Sequence, residues 1–277
     1  MAFDSEVISE IRSVAAEQGL DPAALLAIAE VESGGTAYTI VGGERRPVIL
    51  YEYHVFYRNL PARLREVAVR QDLARRRWKE LPYKRTQAAR YEQLERACAI
   101  HAEAAHMACS WGIGQVLGEN YAALGFPSAR AMAETAMESV AGQVRVMLAF
   151  IAANRLMDEL ETRDWRGFAR IYNGAGQVDR YADLMERAYR RHGGTDAPVR
   201  DDMMLRVGSR GELVRDLQSG LTALGYILQV DGDFGPATRR MVTLFQKENG
   251  LVADGIAGPR TLARIEALSG RRLDPAA

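Results

Sequence analysis

The sequence predicts a mainly α-helical chain in two units: a larger helical domain with one small strand region, then a small all-α bundle of three helices. Three observations lead there. Apolar residues recur with a 3.6-residue period through most of the N-terminal two thirds, and capping residues stand where the periods begin. One stretch rich in Val, Ile, Tyr and Phe, Pro47 to Tyr57, interrupts that pattern. After a polar segment containing Gly and Pro at 193–203, a short turn motif occurs twice, in a region too short for anything but a small bundle.

Taken in order, Val7, Ile8, Ile11, Val14 and Ala15 mark the first helix, with Asp4 or Ser5 as N-cap and Gly19 past its end. The second helix starts at Asp21-Pro22, a capping side chain followed by the residue best suited to the first helical position. It continues through Ala-Ala-Leu-Leu-Ala-Ile-Ala and stops at Ser33-Gly34-Gly35; its nearly continuous apolarity makes it a buried helix. Pro47 to Tyr57 reads as one or two short strands, Arg58 to Arg96 as a strongly basic helical stretch, and about Glu134 to Leu160 as another buried helix. In the C-terminal unit, Leu213, Leu217, Leu221 and Leu224 mark a helix. Asp231-Gly-Asp-Phe-Gly-Pro-Ala-Thr238 then recurs as Asp254-Gly-Ile-Ala-Gly-Pro-Arg-Thr261, and each copy makes a tight turn with Pro starting the next helix. The expected organisation is a domain over 1–192, a linker at 193–203, a bundle at 204–270 and a tail at 271–277.

Composition narrows the function classes. The 277 residues are 48% apolar and 26% charged with zero formal net charge, so nothing marks a nucleic-acid or membrane partner. The basic residues are nearly all arginine, lysine occurring only at 79, 84 and 247. No run of about 18 to 20 apolar residues is present to span a bilayer. The first residues lack a basic region followed by an apolar one, so synthesis in the cytoplasm without a Sec-type signal is expected. Cys98 and Cys109 make no disulfide framework. Cys98-x-x-His101 and His106-x-x-Cys109 do form a symmetric pair of candidate zinc pairs, but the stretch reads as one alanine-rich helix that holds positions 98 and 109 far apart. Neither metal nor cofactor is expected.

Glu32 is the most informative residue. At 100° per residue, Leu25, Ile28 and Ala29 form the inward stripe of the second helix and Glu32 falls at its centre, whereas Glu30 points away. Desolvation and the negative end of the helix dipole would both raise its pKa, as a glycosidase acid requires. Ser33-Gly34-Gly35 leaves space beside it. The alternative is a surface acid on a fraying helix end. As a strand, Pro47 to Tyr57 would put Val48, Leu50, Glu52, His54 and Phe56 on one face, making Glu52 a candidate second carboxylate oriented by His54, or a structural pair. Ser110-Trp-Gly-Ile-Gly-Gln115 and Ile171-Tyr-Asn-Gly-Ala-Gly176 have the composition of cleft walls. Gln115 and Asn173 could hydrogen-bond a sugar and Tyr172 could stack on one, though an aromatic beside glycine is commonly a packed turn.

The order Glu32-Ser33, Trp111-Gly-Ile-Gly-Gln115, Tyr172-Asn173-Gly174 resembles the lysozyme-like superfamily of goose-type lysozymes and soluble lytic transglycosylases. A closer resemblance, over about residues 5–192, is to the N-acetylmuramidase domain of bacteriophage endolysins. It rests on Val31-Glu-Ser-Gly-Gly35, Pro47-Val-Ile-Leu-Tyr-Glu-Tyr-His-Val-Phe56, Ser110-Trp-Gly-x-x-Gln115 and Tyr172-Asn-Gly174. It implies a lysozyme-like α+β domain with Glu32 as catalytic acid, Glu52 in a second role, and Ser33, His54, Trp111, Gly112, Gln115, Tyr172 and Asn173 on the substrate. Gly114 departs from the pattern, where a larger residue is expected, as do His101, His106 and Cys109.

Residues 204–268 resemble the three-helix peptidoglycan-binding domain through Val207-Gly208-Ser-Arg-Gly-Glu-Leu-Val214, Leu217-Gln218, Leu224-Gly225-Tyr226 and the two turns. That resemblance points to Asp231, Phe234, Thr238, Asp254 and Thr261 as wall-binding candidates. The expectation is a monomeric muramidase that cleaves the β-1,4 bond between N-acetylmuramic acid and N-acetylglucosamine. Its partners are glycan strands and stem peptides of the wall, which it reaches through a separate membrane pore. The rivals are a lytic transglycosylase and a non-catalytic wall-binding or tail protein. The basic stretch from Arg58 to Arg96 is a solvated face or a contact for anionic wall polymers.

Overall fold

The computed structural model describes residues 3–195, 204–251 and 253–273. The first two helices form as their caps dictate. In α1 (Ser5–Gln18) the Asp4 carboxylate accepts from the Val7 N–H at 2.9 Å, and Gly19 closes the helix in the left-handed region at φ 56°. In α2 (Pro22–Ser33) Asp21 accepts from Ala23 N–H at 2.8 Å, and every residue from Ala23 to Ala29 is buried. A hairpin follows, β1 (Tyr38–Val41) against β2 (Glu44–Pro47), turning at Gly42-Gly43.

The region from 47 onward departs from the expected strand. β3 is only Ile49–Tyr51, and Tyr53–Asn59 is helix α3. The cause is packing: Tyr53, Val55 and Phe56 are all buried, which one face of a strand cannot achieve. Glu52 lies at the N-cap of α3, so it and His54 do not share a strand face. The basic stretch is likewise broken, into α4 (Ala62–Arg70), an irregular segment, and α5 (Gln87–Met107), with Pro61 and Pro82 at the interruptions. α5 is not one straight helix: His101 is extended at φ −162° and ψ 98°, and its Nδ1 accepts from Ala104 N–H at 3.2 Å, capping the second half. That break brings the Cys98 Sγ to 3.9 Å from His106 Nδ1. Among the described residues, no group of three or more His, Cys, Asp or Glu could hold a metal.

β4 (Cys109–Trp111) pairs with β3 on one side and β5 (Val116–Leu117) on the other, all antiparallel. The long helix expected near 134–160 is three: α6 (Ala129–Glu138), α7 (Val140–Ala153) and α8 (Met157–Thr162). Ser139 separates the first two, fully extended, with its hydroxyl accepting from Gly142 N–H. α9 (Trp165–Tyr172) and α10 (Val178–Arg191) complete the domain.

Two cores result. One gathers Val7, Ile11, Leu25, Ile28, Met147, Ile151, Phe168 and Met185; the other gathers Ile49, Tyr51, Phe56, Tyr91, Trp111, Met132 and Val146. α7 feeds both, Met147 into the first and Val146 into the second, so the two lobes are held at a fixed separation. A third core is closed by α11 (Glu212–Ala223), α12 (Pro236–Glu248) and α13 (Pro259–Ser269) around Leu217, Phe234, Val242, Phe245 and Ile265. Of the expected linker, residues 196–203 lie outside the described residues, as do 274–277 of the expected tail. Among the described residues no helix is long and apolar enough to cross a membrane.

Candidate active site

The two lobes of the larger domain leave between them a cavity of about 250 Å³, lined by Glu32, Ser33, Thr36, Val48, Gln87, Arg90 and Gln115. Each lining group is placed by local chemistry. Gly34 ends α2 at φ 63°, a left-handed turn, so the chain leaves immediately after Glu32 and Ser33. Ser33 Oγ donates to the Ala29 carbonyl at 2.7 Å, turning that side chain back along its helix. Gln87 and Arg90, one turn apart on α5, satisfy the free edge of β3: Gln87 Oε1 accepts from Ile49 N–H at 2.9 Å and Arg90 donates to the Ile49 carbonyl at 2.8 Å. Gln115 sits at φ 46° in the β4–β5 turn, and its amide N–H₂ donates to the Gly112 carbonyl at 2.8 Å and to that of Val48 at 3.3 Å. Both bonds use the nitrogen, and an amide oxygen such as its Oε1 can accept further ones.

Glu32 lines this cavity at the end of α2, half-buried and touching Asn173 at the end of α9. Burial pushes its carboxyl up from the ordinary 4.5 to about 7, partly opposed by a hydrogen bond that Asn173 Nδ2 donates to Oε1 at 2.7 Å. The oxygen of that amide, Asn173 Oδ1, is enclosed without a partner among the described residues. Negative charge on Glu32 raises the pKa of both Tyr172 and Tyr181, although burial is the larger cause in each. Tyr181, on α10, carried no motif and was missed in the sequence. Glu30, the acid on the outer face, is taken up by His192 at 2.7 Å and by Arg191. The same helix thus carries one acid held by Arg191 and His192 and one held in the cavity.

Several expected cleft residues are structural. Trp111 is 1% exposed, donates Nε1–H to the His106 carbonyl at 3.2 Å and stacks on the His106 ring, so it cannot meet a sugar. Gly112 is buried because Gln143 needs its space; a Cβ there would stand 2.8 Å from the Gln143 side chain, which accepts from Ile113 N–H. Gly114 is small for a similar reason: a Cβ would meet Met147 Cβ at 2.7 Å and Tyr172 Oη at 3.1 Å. Tyr172 stacks on Phe168, meets Phe150 edge-on, and donates its hydroxyl to the Gly114 carbonyl at 2.6 Å. It is a strut between the lobes, with one face taken by Phe168 and its hydroxyl spent on Gly114. Asn173 is engaged with Glu32 in place of the expected sugar.

Glu52 does not line the Glu32 cavity. It is 15% exposed, with His54 Nδ1 at 3.3 Å from Oε2. The Tyr83 hydroxyl lies 2.9–3.0 Å from its two oxygens, and Trp78 Nε1–H donates to that hydroxyl at 3.1 Å. Burial, then the Glu52 charge, pushes Tyr83 up to about 12, so it stays a donor. Thr36, Gln87, Arg90 and Tyr83 were not found from the sequence; polar pairs one turn apart on α5 are too common to signal anything alone.

In the small bundle the turn residues serve its own architecture. Gln218 Nε2 donates to Asp231 Oδ1 at 2.8 Å, the Asp233 carbonyl at 3.1 Å and Thr238 Oγ1 at 3.1 Å, while its Oε1 accepts from Gly232 N–H at 2.8 Å. Gln246 repeats this with Asp254 at 2.9 Å, the Ile256 carbonyl at 2.7 Å, Thr261 at 3.1 Å and Gly255 N–H at 2.9 Å. Phe234 is 0%, Thr238 2% and Thr261 5% exposed. These three cannot touch the wall; Asp254 is half-buried with one oxygen on Gln246, and Asp231, though exposed, has one oxygen committed to Gln218. The repeat exists because each turn must clasp a buried glutamine, a partner visible only once the helices are placed.

Comparison with known proteins agrees with this architecture. A family described as N-acetylmuramidase matches residues 21–193, and one described as putative peptidoglycan binding domain matches residues 210–265. The solved endolysin of Burkholderia AP3 phage is similar at 32% identity and a TM-score of 0.57, over 67% of this chain and 71% of that one. Zinc D-Ala-D-Ala carboxypeptidase of Streptomyces albus G is 52% identical over 64 residues, 22% of this chain and 25% of that protein. N-acetylmuramoyl-L-alanine amidase CwlM of Mycobacterium tuberculosis is 47% identical over 62 residues, 22% of this chain and 15% of that protein. The chain therefore spans about a quarter or less of the length of these curated relatives.

Proposed function

Because the chain belongs to the N-acetylmuramidase family, we propose that it is a peptidoglycan-hydrolysing glycosidase of the endolysin type, cutting the β-1,4 bond between N-acetylmuramic acid and N-acetylglucosamine. Residues 1–192 form the catalytic unit, and 204–270 tether it to the wall. Tethering raises the local concentration of an insoluble substrate without any new contact at the reacting bond. The protein acts as a monomer on the cell wall, released to it through a pore made by another protein. The likeness to a phage endolysin supports this reading.

One observation carries the proposal: a carboxyl lining an inter-lobe cavity, with its pKa pushed up to about 7 by burial. An acid of that strength is protonated in a large fraction of molecules near neutral pH and can give its proton to the glycosidic oxygen as the bond breaks. Asn173 suits both states of this acid. Its Nδ2 donates to the ionised carboxylate, and a half-turn of the amide brings the unpartnered Oδ1 round to accept from the protonated one. Gln115 and Ser33 line the cavity as sugar contacts. Glu52, fixed by Tyr83 and His54, is the candidate to stabilise the positive charge that develops on the sugar or to activate water.

A second reading has its own support. Glu52 stands outside the cavity that holds Glu32, and a single acid suffices for a lytic transglycosylase, in which the sugar's own hydroxyl replaces water. Mass spectrometry of digested, borohydride-reduced peptidoglycan separates the two. Reduced muramic acid ends identify the hydrolase, 1,6-anhydro ends the transglycosylase, and uncut glycan removes the enzymatic reading.

A further inference from the structure

With Phe234, Thr238 and Thr261 buried in the turns, another face of the small bundle is better placed to meet the wall. Among the described residues, one face of α12 is covered only at its edge, where Arg239 and Thr243 lie against Gly255. Pro236, Arg239, Arg240 and Thr243 succeed one another at helical spacing and, with Val207, line an open cavity of about 520 Å³. Val207 is 54% exposed, an apolar side chain left in water at the cavity wall.

The charges there are unbalanced. Neighbouring Arg210 and Arg215 are paired with Asp233 and Glu212, whereas among the described residues Arg239 and Arg240 form no ion pair. Arg239 is also pre-positioned. Its stem lies across the second turn, where a Cβ on Gly255 would come within 2.8 Å of Arg239 Cγ. The repeat's glycine therefore makes room for the arginine, so less side-chain freedom is lost when the guanidinium meets a ligand.

We infer that this cavity is the wall-binding site and that it takes the free carboxylate end of a peptidoglycan stem peptide. Guanidinium groups bind carboxylates through paired, charge-assisted hydrogen bonds, and Arg239 and Arg240 supply two. Small apolar side chains such as alanine fit against Val207 and Pro236, and the volume suits a short peptide. A glycan strand is the poorer fit: no aromatic ring lines the cavity to carry a sugar face, and wherever a stem peptide is attached the lactyl carboxyl of N-acetylmuramic acid is an amide that brings the arginines no charge. This assignment rests on the reading of the chain as a wall-directed protein.

The test uses the full chain carrying Glu32→Gln, so that the wall stays intact, sedimented with purified sacculi. Adding Arg239→Ala and Arg240→Ala is expected to weaken co-sedimentation by about tenfold or more, with an unchanged melting profile. Arg239→Gln, which keeps the stem over Gly255, replaces Arg239→Ala if that variant melts early. In parallel, a synthetic stem tetrapeptide with a free terminal carboxylate should shift the NMR signals of Val207 and Thr243, and its amide should bind about tenfold more weakly. A parent chain that fails to sediment overturns the functional reading itself. A parent and an arginine variant that sediment equally overturn only this site. Equal binding of acid and amide, or displacement by inorganic phosphate as effective as by the peptide, overturns the carboxylate-peptide assignment.

Discussion

In the larger domain a polar side chain at the end of a buried helix is left short of partners; in the smaller one, a polar side chain on a buried helix face is given all it can use. Glu32 receives one hydrogen bond, from an amide whose own oxygen is unpartnered. Gln218 makes three bonds through its nitrogen and one through its oxygen, and Gln246 does the same a repeat later. Both kinds of site are built from Gly-rich turns beside helices, so composition alone does not separate them. Hydrogen-bond completeness does: a saturated group holds a fold, and an unsaturated one beside a cavity is available for chemistry.

The contrast can be broken most forcefully at Glu32. Glu32→Gln removes the proton donor while keeping shape, and should lower release of reducing ends by about a thousandfold with the fold intact. The opposite pattern is expected of Gln218→Ala or Gln246→Ala. Each leaves a turn N–H and a buried threonine hydroxyl unanswered, costing about 3 to 5 kcal/mol of the bundle's stability in a denaturant melt. Cleavage of soluble glycan fragments should be unchanged, because the Glu32 cavity shares no residue with that bundle.

The same difference has a pH signature. Unfolded, the Glu32 carboxyl loses its proton near 4.5, and folded it keeps it to about 7, so the folded state is penalised progressively as pH rises through that window. Above it the cost approaches about 3 kcal/mol, and Glu32→Gln, which carries no charge at any pH, should exceed wild type in stability by up to that amount at pH 8 while losing the advantage below pH 4.5. Parallel thermal melts across that range check it. The smallest effect is expected at Asn173. Asn173→Ala removes the bond that favours the ionised acid, so the alkaline limb of the activity profile should move up in pH while the maximal rate falls about tenfold through lost positioning.

How much of this was legible in the sequence follows from what each signal depends on. Glu32 stood out because helical periodicity is local, and the caps at Asp21 and Gly34 fixed where the helix began and ended. The three-helix bundle was legible for the same reason. Glu52 and His54 were brought together by a wrong route, as a strand face, when a strand-to-helix turn does it; a short apolar run does not say which it is until its buried neighbours are known. Trp111 was misassigned because an aromatic beside glycine has one composition in a cleft wall and in a packed core, and only burial and ring partners distinguish them; Tyr172 likewise spends one face on Phe168. The partners of Asp231 and Asp254 lie on helices a turn away in space, beyond any local pattern.

The central claim is that Glu32 is a carboxyl kept protonated by its surroundings. It is tested most directly by following the Glu32 side-chain carboxyl signal by NMR, in protein labelled with ¹³C at glutamate, through a pH titration. Glu32→Gln identifies the resonance. A midpoint near 7, against the ordinary carboxyl value of 4.5, is the result this account predicts. A midpoint for Glu32 at 4.5 itself would mean an ordinary surface acid, and the assignment of the catalytic proton to this cavity would fall with it.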